Sequence, residues 1–468
     1  MISDHILKEL ESIVGIDRLL RKKEELMVYE CDGQTFFKSM PDVVVLPTSR
    51  DEVVNIVNIC NKYNIPYLAR GAGTALSGSA VPIRGGVVIA FARMNSILEV
   101  DFDNQRVVVE PYVTAPQITA VASEKGFFYA PDPASYTVSS IGGNIAHNAG
   151  GNHCLKYGVT TNHVLGLEMV LPNGDVLELG GKALDPPGYD LVGLMVGSEG
   201  TLGIVTKAVV RILRKPPATA VILAIFDSLV DASNTVSEVI AVGKLPAVIE
   251  FMDKYAIKAV ESGVKACGLP LDAEAILLFE VDGFEDELDV QSEKIIEICK
   301  KNHARSVEMA KDPDGMAKLM AGRKAAFGSM GNLAPSYVVD DGTIPRSKLP
   351  EVMPIIRKWG EEHGFMIANV FHAGEGNLHP IILYDPRVEG KEQEALKLGL
   401  DILKLCLDVG GTITGEHGVG IEKAELMPVQ YSKDELKRML FIKEIFDPKG
   451  LCNPGKIFPE KEVKILAS

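Results

Sequence analysis

Apolar positions outline the chain before any chemistry is considered. Across residues 1–40, Leu7, Leu10, Ile13 and Val14 recur at helical spacing in a polar background, which predicts an N-terminal helical segment. The pattern changes at Pro41. Val43-Val44-Val45-Leu46 is an unbroken apolar run of strand length, and Pro47-Thr48-Ser49-Arg50-Asp51-Glu52 carries helix-start residues. Val53, Ile56, Val57 and Cys60 then continue at helical spacing to Tyr63. A second strand, Pro66-Tyr67-Leu68-Ala69, runs straight into glycine, so the segment reads as a β-α-β unit with a glycine-rich exit. Beyond Lys215-Pro216-Pro217, amphipathic helices such as 233–242 and 286–301 alternate with apolar strands such as 275–281. The paired prolines mark the main boundary.

Composition narrows the function classes. Hydrophobic residues fill 46% of the 468 positions, enough for more than one core, and 24% charged residues exclude disorder as the main state. Lysine and arginine number 48 against 63 acidic residues, a net charge of −15. A surface that acidic repels phosphate backbones and anionic lipid, which argues against nucleic-acid and membrane-surface partners. An anionic substrate then needs a local positive feature. No run approaches the ~18 apolar residues of a spanning helix, and Met1-Ile2-Ser3-Asp4-His5 lacks the pattern of a signal peptide. The seven cysteines form no C-x-x-C pair, against a disulfide framework, a zinc ribbon or a cluster motif. A reduced, cytoplasmic chain is expected.

Glycine clusters carry the first chemical signal. Arg70-Gly71-Ala72-Gly73-Thr74-Ala75-Leu76-Ser77-Gly78 follows a strand, where backbone N–H groups can approach a pyrophosphate and Arg70 can add charge. It is neither a Rossmann loop, because Leu76 fills the third glycine slot, nor a Walker A loop, because Ser79-Ala80 replace Lys-Ser/Thr. The second cluster runs from Pro131-Asp132-Pro133 through Ser139-Ser140-Ile141-Gly142-Gly143-Asn144-Ile145-Ala146 to Asn148-Ala149-Gly150-Gly151. It is too glycine-rich for a stable helix interior and suits backbone wrapped around a ligand. The third is Gly197-Ser198-Glu199-Gly200-Thr201-Leu202-Gly203-Ile204-Val205. Three such loops point to one large cofactor touched along its length.

The series Arg70-Gly71-x-Gly73-Thr74, Ser140-Ile141-Gly142-Gly143-Asn144 and Gly197-Ser198-Glu199-Gly200-Thr201-Leu202-Gly203 resembles the vanillyl-alcohol-oxidase type of FAD-binding family. It is most similar to the branch of bacterial glycolate oxidase D subunits and D-lactate dehydrogenases. The likeness continues through Gly322-Arg323-Lys324-Ala325-Ala326-Phe327, Asp341-Gly342-Thr343-Ile344-Pro345-Arg346 and Asn453-Pro454-Gly455-Lys456. The resemblance implies an α+β fold: helical segment 1–40, FAD-binding domain 41–216, α+β cap or substrate domain 217–410, and C-terminal segment 411–468 returning to the flavin. It assigns Arg70, Gly71, Gly73, Thr74 and Gly78 to the FAD pyrophosphate. Pro131, Asp132, Ser140, Gly142, Gly143, Asn144, Asn148, Gly150 and Gly151 then line the ribityl chain and isoalloxazine. Glu199, Gly203 and Ile204 belong to the adenosine end, with Asn453 also at the cofactor. No histidine stands between Arg70 and Gly78, so noncovalent FAD is expected.

A second constellation lies late in the chain, Asn369-Val370-Phe371-His372-Ala373-Gly374-Glu375-Gly376-Asn377-Leu378-His379 and Thr414-Gly415-Glu416-His417-Gly418. Residues 367–371 and 381–383 read as strands, placing His372 and His379 across a glycine-rich turn. They form either a hydrogen-bonded pair or, with Glu416, a metal site with open positions. The resemblance favours the second: a divalent metal (Zn, Mn or Fe) on His372, His379 and Glu416, with His417 as base. Arg323 is the expected catalytic cation, and Lys324 and Arg346 are further candidates to clamp a carboxylate. The implied reaction oxidises a short D-2-hydroxy acid, glycolate or D-lactate, to the 2-oxo acid. Val338-Val339 stand where relatives specific for 2-hydroxyglutarate carry a basic residue. The alternatives are a D-2-hydroxyglutarate-type dehydrogenase, a metal-dependent hydrolase or an electron-relay flavoprotein subunit. Electrons are expected to leave through an iron–sulfur subunit, a second flavin subunit or an electron-transferring flavoprotein, and any membrane association through such partners.

Overall fold

The computed structural model describes residues 2–183, 187–243, 246–264 and 266–459. From Val43 the elements follow the expected β-α-β order: strand Val43–Val45, helix Arg50–Tyr63 and strand Tyr67–Arg70. Ser49 caps the helix by accepting the Glu52 N–H, and Asn64 ends it in a left-handed conformation. The two strands are parallel but not adjacent, because Val87–Ala90 lies between them and pairs with both. Leu19–Leu20 adds an antiparallel edge, and helix Asp4–Val14 buries Ile6, Leu10 and Val14 in the same core. The buried valines and isoleucines of this core each contribute roughly 1.5–3 kcal/mol.

A second, antiparallel sheet runs in the order Ile97–Asp101, Arg106–Val109, Ile204–Arg211, Val164–Val170, Val176–Gly180. Against it lies helix Ile141–His147, whose Ile141 and Ile145 are fully buried. This helix corrects the expectation that the glycine-rich stretch is unwound. Ser140 caps it and Asn148 closes it. Gly142 is required rather than merely tolerated, because a Cβ there would stand 2.8 Å from Pro111 Cβ. Close packing outweighs the intrinsic cost of about 1 kcal/mol per helical glycine.

The chain divides into two compact units. The first comprises Met1–Gly151, Gly158–Lys215 and Glu416–Ser468; the second comprises Asn152–Tyr157 and Pro216–Gly415. The second unit is built on a seven-stranded antiparallel sheet. Its order is Ser306–Ala310, Ala218–Phe226, Ala275–Gly283, Val248–Asp253, Met366–His372, Pro380–Tyr384, Ser336–Val339. The central strands read as unbroken apolar runs because helices pack on the sheet, among them Glu285–Lys301 and Pro313–Ser329. One of these strands, Val248–Asp253, carries two carboxylates, Glu250 and Asp253, both fully buried.

Candidate functional site

In the first unit the loops interlock through backbone. Arg70 ends its strand 7% exposed and donates to the Ala80 carbonyl at 3.1 Å. Burial pulls its guanidinium below the ordinary arginine value, against the opposing charge of Asp32. A Cβ on Gly71 would lie 2.0 Å from Ser140 Oγ, so only glycine lets this loop touch the cap of helix Ile141–His147. A Cβ on Gly151 would lie 2.3 Å from the Asp132 carbonyl oxygen, so the Pro131–Pro133 stretch packs closely on Gly151. Gly73, Thr74, Gly142 and Gly143 are half-buried; Gly78 is buried, as are Gly203 and Ile204 where strand Ile204–Arg211 begins.

The third loop is held by the C-terminal return. Glu199 accepts N–H groups from Val419 at 2.6 Å and Gly420 at 2.9 Å, so its carboxylate is engaged by this chain's own backbone. Asn453 donates to the carbonyls of Ser79 at 3.0 Å and Glu199 at 2.8 Å, joining two of the glycine loops. Lys456 supports it through Asn453 Oδ1 and the Val81 carbonyl, and burial lowers its ammonium to about 8. Asn148 Oδ1 accepts the Thr161 N–H.

Two residues here escaped the sequence reading. His147 bridges Ser79 Oγ at 2.6 Å and the Gly143 carbonyl at 3.0 Å, linking the first two loops. Asp32 is 6% exposed, and burial pushes its carboxyl up to about 6. Three polar atoms bear on a ligand: Ser77 Oγ, Ser139 Oγ and Asn144 Nδ2 are buried and find no hydrogen-bond partner among the described residues. An unsatisfied buried donor or acceptor costs about 1–3 kcal/mol. Such atoms, on loops whose glycines bare their backbone, fit a large polar cofactor.

In the second unit, strands Met366–His372 and Pro380–Tyr384 pair so that the intervening turn carries both histidines. His372 bridges to Asn377, and the two imidazole rings lie 5.2 Å apart, nearly perpendicular. The Asn377 amide lies 3.3 Å from His379 Nε2. The chain leaves the unit at the Gly415–Glu416 peptide bond, one residue after a firm anchor. Asp341, fully buried, accepts from Thr414 Oγ1 at 2.9 Å and from the Gly415 N–H at 3.1 Å. One ligand atom from each of His372, His379 and Glu416 falls within 4.8 Å of the others. Two imidazoles and a carboxylate are a donor set suited to Zn, Mn or Fe. His417 Nε2 lies 3.9 Å from Glu416 Oε1, and its side chain is 16% exposed.

Behind His372 stands Glu250, accepting from its Nδ1 at 2.5 Å and from Arg323 Nε at 2.5 Å. Burial alone would push the Glu250 carboxyl up, but the charges of Arg323 and His372 outweigh it and hold it below the usual range. Among the described residues, Nε→Glu250 is the one side-chain hydrogen bond of Arg323, which leaves its two η nitrogens for another anion. Arg346 packs its stem against the Gly376 turn. Lys324 is exposed, one residue and about 100° round the helix from Arg323, away from these groups. Glu250 was not singled out in the sequence, and Asp341 and Asn377 stood there inside motifs without a role of their own. A lone glutamate within the apolar run Val248-Ile249-Glu250-Phe251-Met252 was the available signal.

Comparison with known proteins shows the family. The FAD binding domain family matches residues 41–180, and the C-terminal domain of FAD linked oxidases matches residues 215–457. The chain is 43% identical over 449 residues to the glycolate oxidase subunit GlcD of Escherichia coli (strain K12), covering 96% of this chain and 90% of that protein. Identity to GlcD of Bacillus subtilis (strain 168) is 39% over 459 residues, covering 98% and 97%. A D-lactate dehydrogenase of Archaeoglobus fulgidus is 36% identical over 425 residues, covering 89% and 91%. Among solved structures, p-cresol methylhydroxylase superposes with a TM-score of 0.79 at 19% identity, over 97% of this chain and 96% of that one, a likeness of fold alone. The expected α+β fold of the vanillyl-alcohol-oxidase type therefore holds. With its FAD-binding domain and its C-terminal oxidase domain both matched, the chain belongs to the FAD-linked oxidases, in the branch of the glycolate oxidase GlcD subunits.

Proposed function

We propose that this FAD-linked oxidoreductase converts a short D-2-hydroxy acid, glycolate or D-lactate, to the 2-oxo acid at a site served by His372, His379, Glu416 and His417. The observation that carries the reading is the donor set itself. Two histidines and a glutamate within 4.8 Å of one another provide for a divalent cation in a chain of net charge −15. When bound, noncovalent FAD supplies the acceptor for the C2 hydride, and the divalent metal supplies a Lewis acid that acidifies the substrate hydroxyl. The rest falls to the chain. His417 takes the hydroxyl proton as general base. Arg323 presents its η nitrogens to the substrate carboxylate while Nε stays on Glu250. Asp341 holds Thr414 and Gly415 so that Glu416 keeps its place.

A short substrate is favoured over 2-hydroxyglutarate. Val338 and Val339 are 1% and 5% exposed within a sheet strand and offer a second carboxylate no charge. A metal-dependent hydrolase gives no account of the FAD-binding domain. The reduced flavin passes its electrons to an iron–sulfur subunit, a second flavin subunit or an electron-transferring flavoprotein; the relatives named GlcD are themselves subunits. A panel of hydroxy acids mixed anaerobically with the yellow protein tests the reading. Glycolate or D-lactate should bleach the flavin fastest. Bleaching by 2-hydroxyglutarate alone, or by none of the panel, would overturn it.

A further inference from the structure

We propose that Glu250 is a positioning residue for metal binding: it fixes the tautomer and orientation of His372, with Arg323 as its counter-ion. The inference rests on the metal reading of His372, His379 and Glu416. Glu250 lies in strand Val248–Asp253 and is the direct cross-strand partner of His372 in Met366–His372, so sheet register sets their separation. Its carboxylate is wholly buried and both oxygens are engaged, Oε1 by His372 Nδ1 and Oε2 by Arg323 Nε, each at 2.5 Å.

An imidazole that donates Nδ1–H to a carboxylate keeps its proton there and presents the Nε2 lone pair. Ligating histidines depend on such partners, whose loss typically weakens metal affinity 10–100-fold. A sheet-stabilising ion pair needs no particular tautomer, whereas this carboxylate selects the one a ligand must have. Glutamine shows the difference. Its oxygen can satisfy Arg323 or His372 but not both, and an amide NH2 facing Nδ1 drives the proton to Nε2.

The full-length, FAD-loaded chain is titrated with Zn²⁺ against a competing chelator, and with Co²⁺ while its visible bands are recorded. Glu250→Gln should weaken Zn²⁺ on the order of 10–100-fold, shift the Co²⁺ bands and leave FAD stoichiometry unchanged. Asp253→Asn is the control. Asp253 is as deeply buried, in the same strand, beside Arg357 at 3.5 Å, and bonds Asn369 rather than a candidate ligand. That variant should lose thermal stability and keep wild-type Zn²⁺ affinity. Wild-type affinity in Glu250→Gln, or equal loss in both variants, overturns the proposal while the metal reading stands. A wild-type chain that binds neither metal overturns both. If Glu250→Gln yields no folded protein, Glu250→Asp, which keeps the charge but shortens its reach, must weaken Zn²⁺, and unchanged affinity there also overturns it.

Discussion

Asp32 shows how one buried carboxyl couples pH to stability. Burial raises it from 3.8 to about 6, against the N–H groups of Gln34 and Ala80 and the charges of Arg70 and His147. Between those values the folded chain holds a proton that the unfolded chain has released. The stabilisation is therefore full below 3.8 and lost as pH rises through about 6, a change of about 2–3 kcal/mol. Asp32→Asn should remove this slope, so that the flavin-free variant melts higher than wild type at pH 7 while the gap closes near pH 4. A lower melting temperature for the variant at pH 7 would contradict the assignment. The same residues mark the limit of legibility. Histidines flanked by glycines announce themselves in a sequence, and His372, His379 and Glu416 did. Glu250 did not, because its meaning lies in a cross-strand pairing over 122 positions. Asp32 was hidden in the same way, since its environment is made by residues 70, 80 and 147.

At the scale of elements, the turn between strands Met366–His372 and Pro380–Tyr384 places the histidines, and Gly376 makes the turn possible. It adopts a φ of +76°, and a Cβ there would stand 2.2 Å from the Ile344 carbonyl oxygen. Gly376→Ala should therefore displace the histidines while sparing the first unit: bound metal falls at least tenfold, with FAD retained. Elemental analysis beside the flavin absorbance of one sample measures both, and wild-type metal content would contradict the assignment. The strands flanking this turn were readable because apolar runs of that length between glycines have few other solutions. Helix Ile141–His147 was not. Its glycines argue against a helix when propensity is weighed alone, and the deciding facts are a neighbouring proline and a serine cap. Propensity is a local quantity, and this helix is fixed by contact.

For the whole molecule, the acidic balance of charge and the oxidation of an anion pull in opposite directions. A net −15 repels a hydroxy acid, so attraction has to be local. Candidate sources are a cation on the proposed ligands His372, His379 and Glu416 and the η nitrogens of Arg323. Among the described residues no helix is long and apolar enough to cross a membrane. The central claim is that the flavin accepts electrons from a hydroxy acid only when the histidine–glutamate set holds its metal. Anaerobic stopped-flow mixing with D-lactate or glycolate, comparing metal-replete protein with chelator-stripped protein of equal FAD content, tests it most directly. The flavin band should bleach in the replete sample, stay oxidised in the stripped one, and bleach again once the divalent metal is restored. Equal bleaching rates in the two samples would contradict the account.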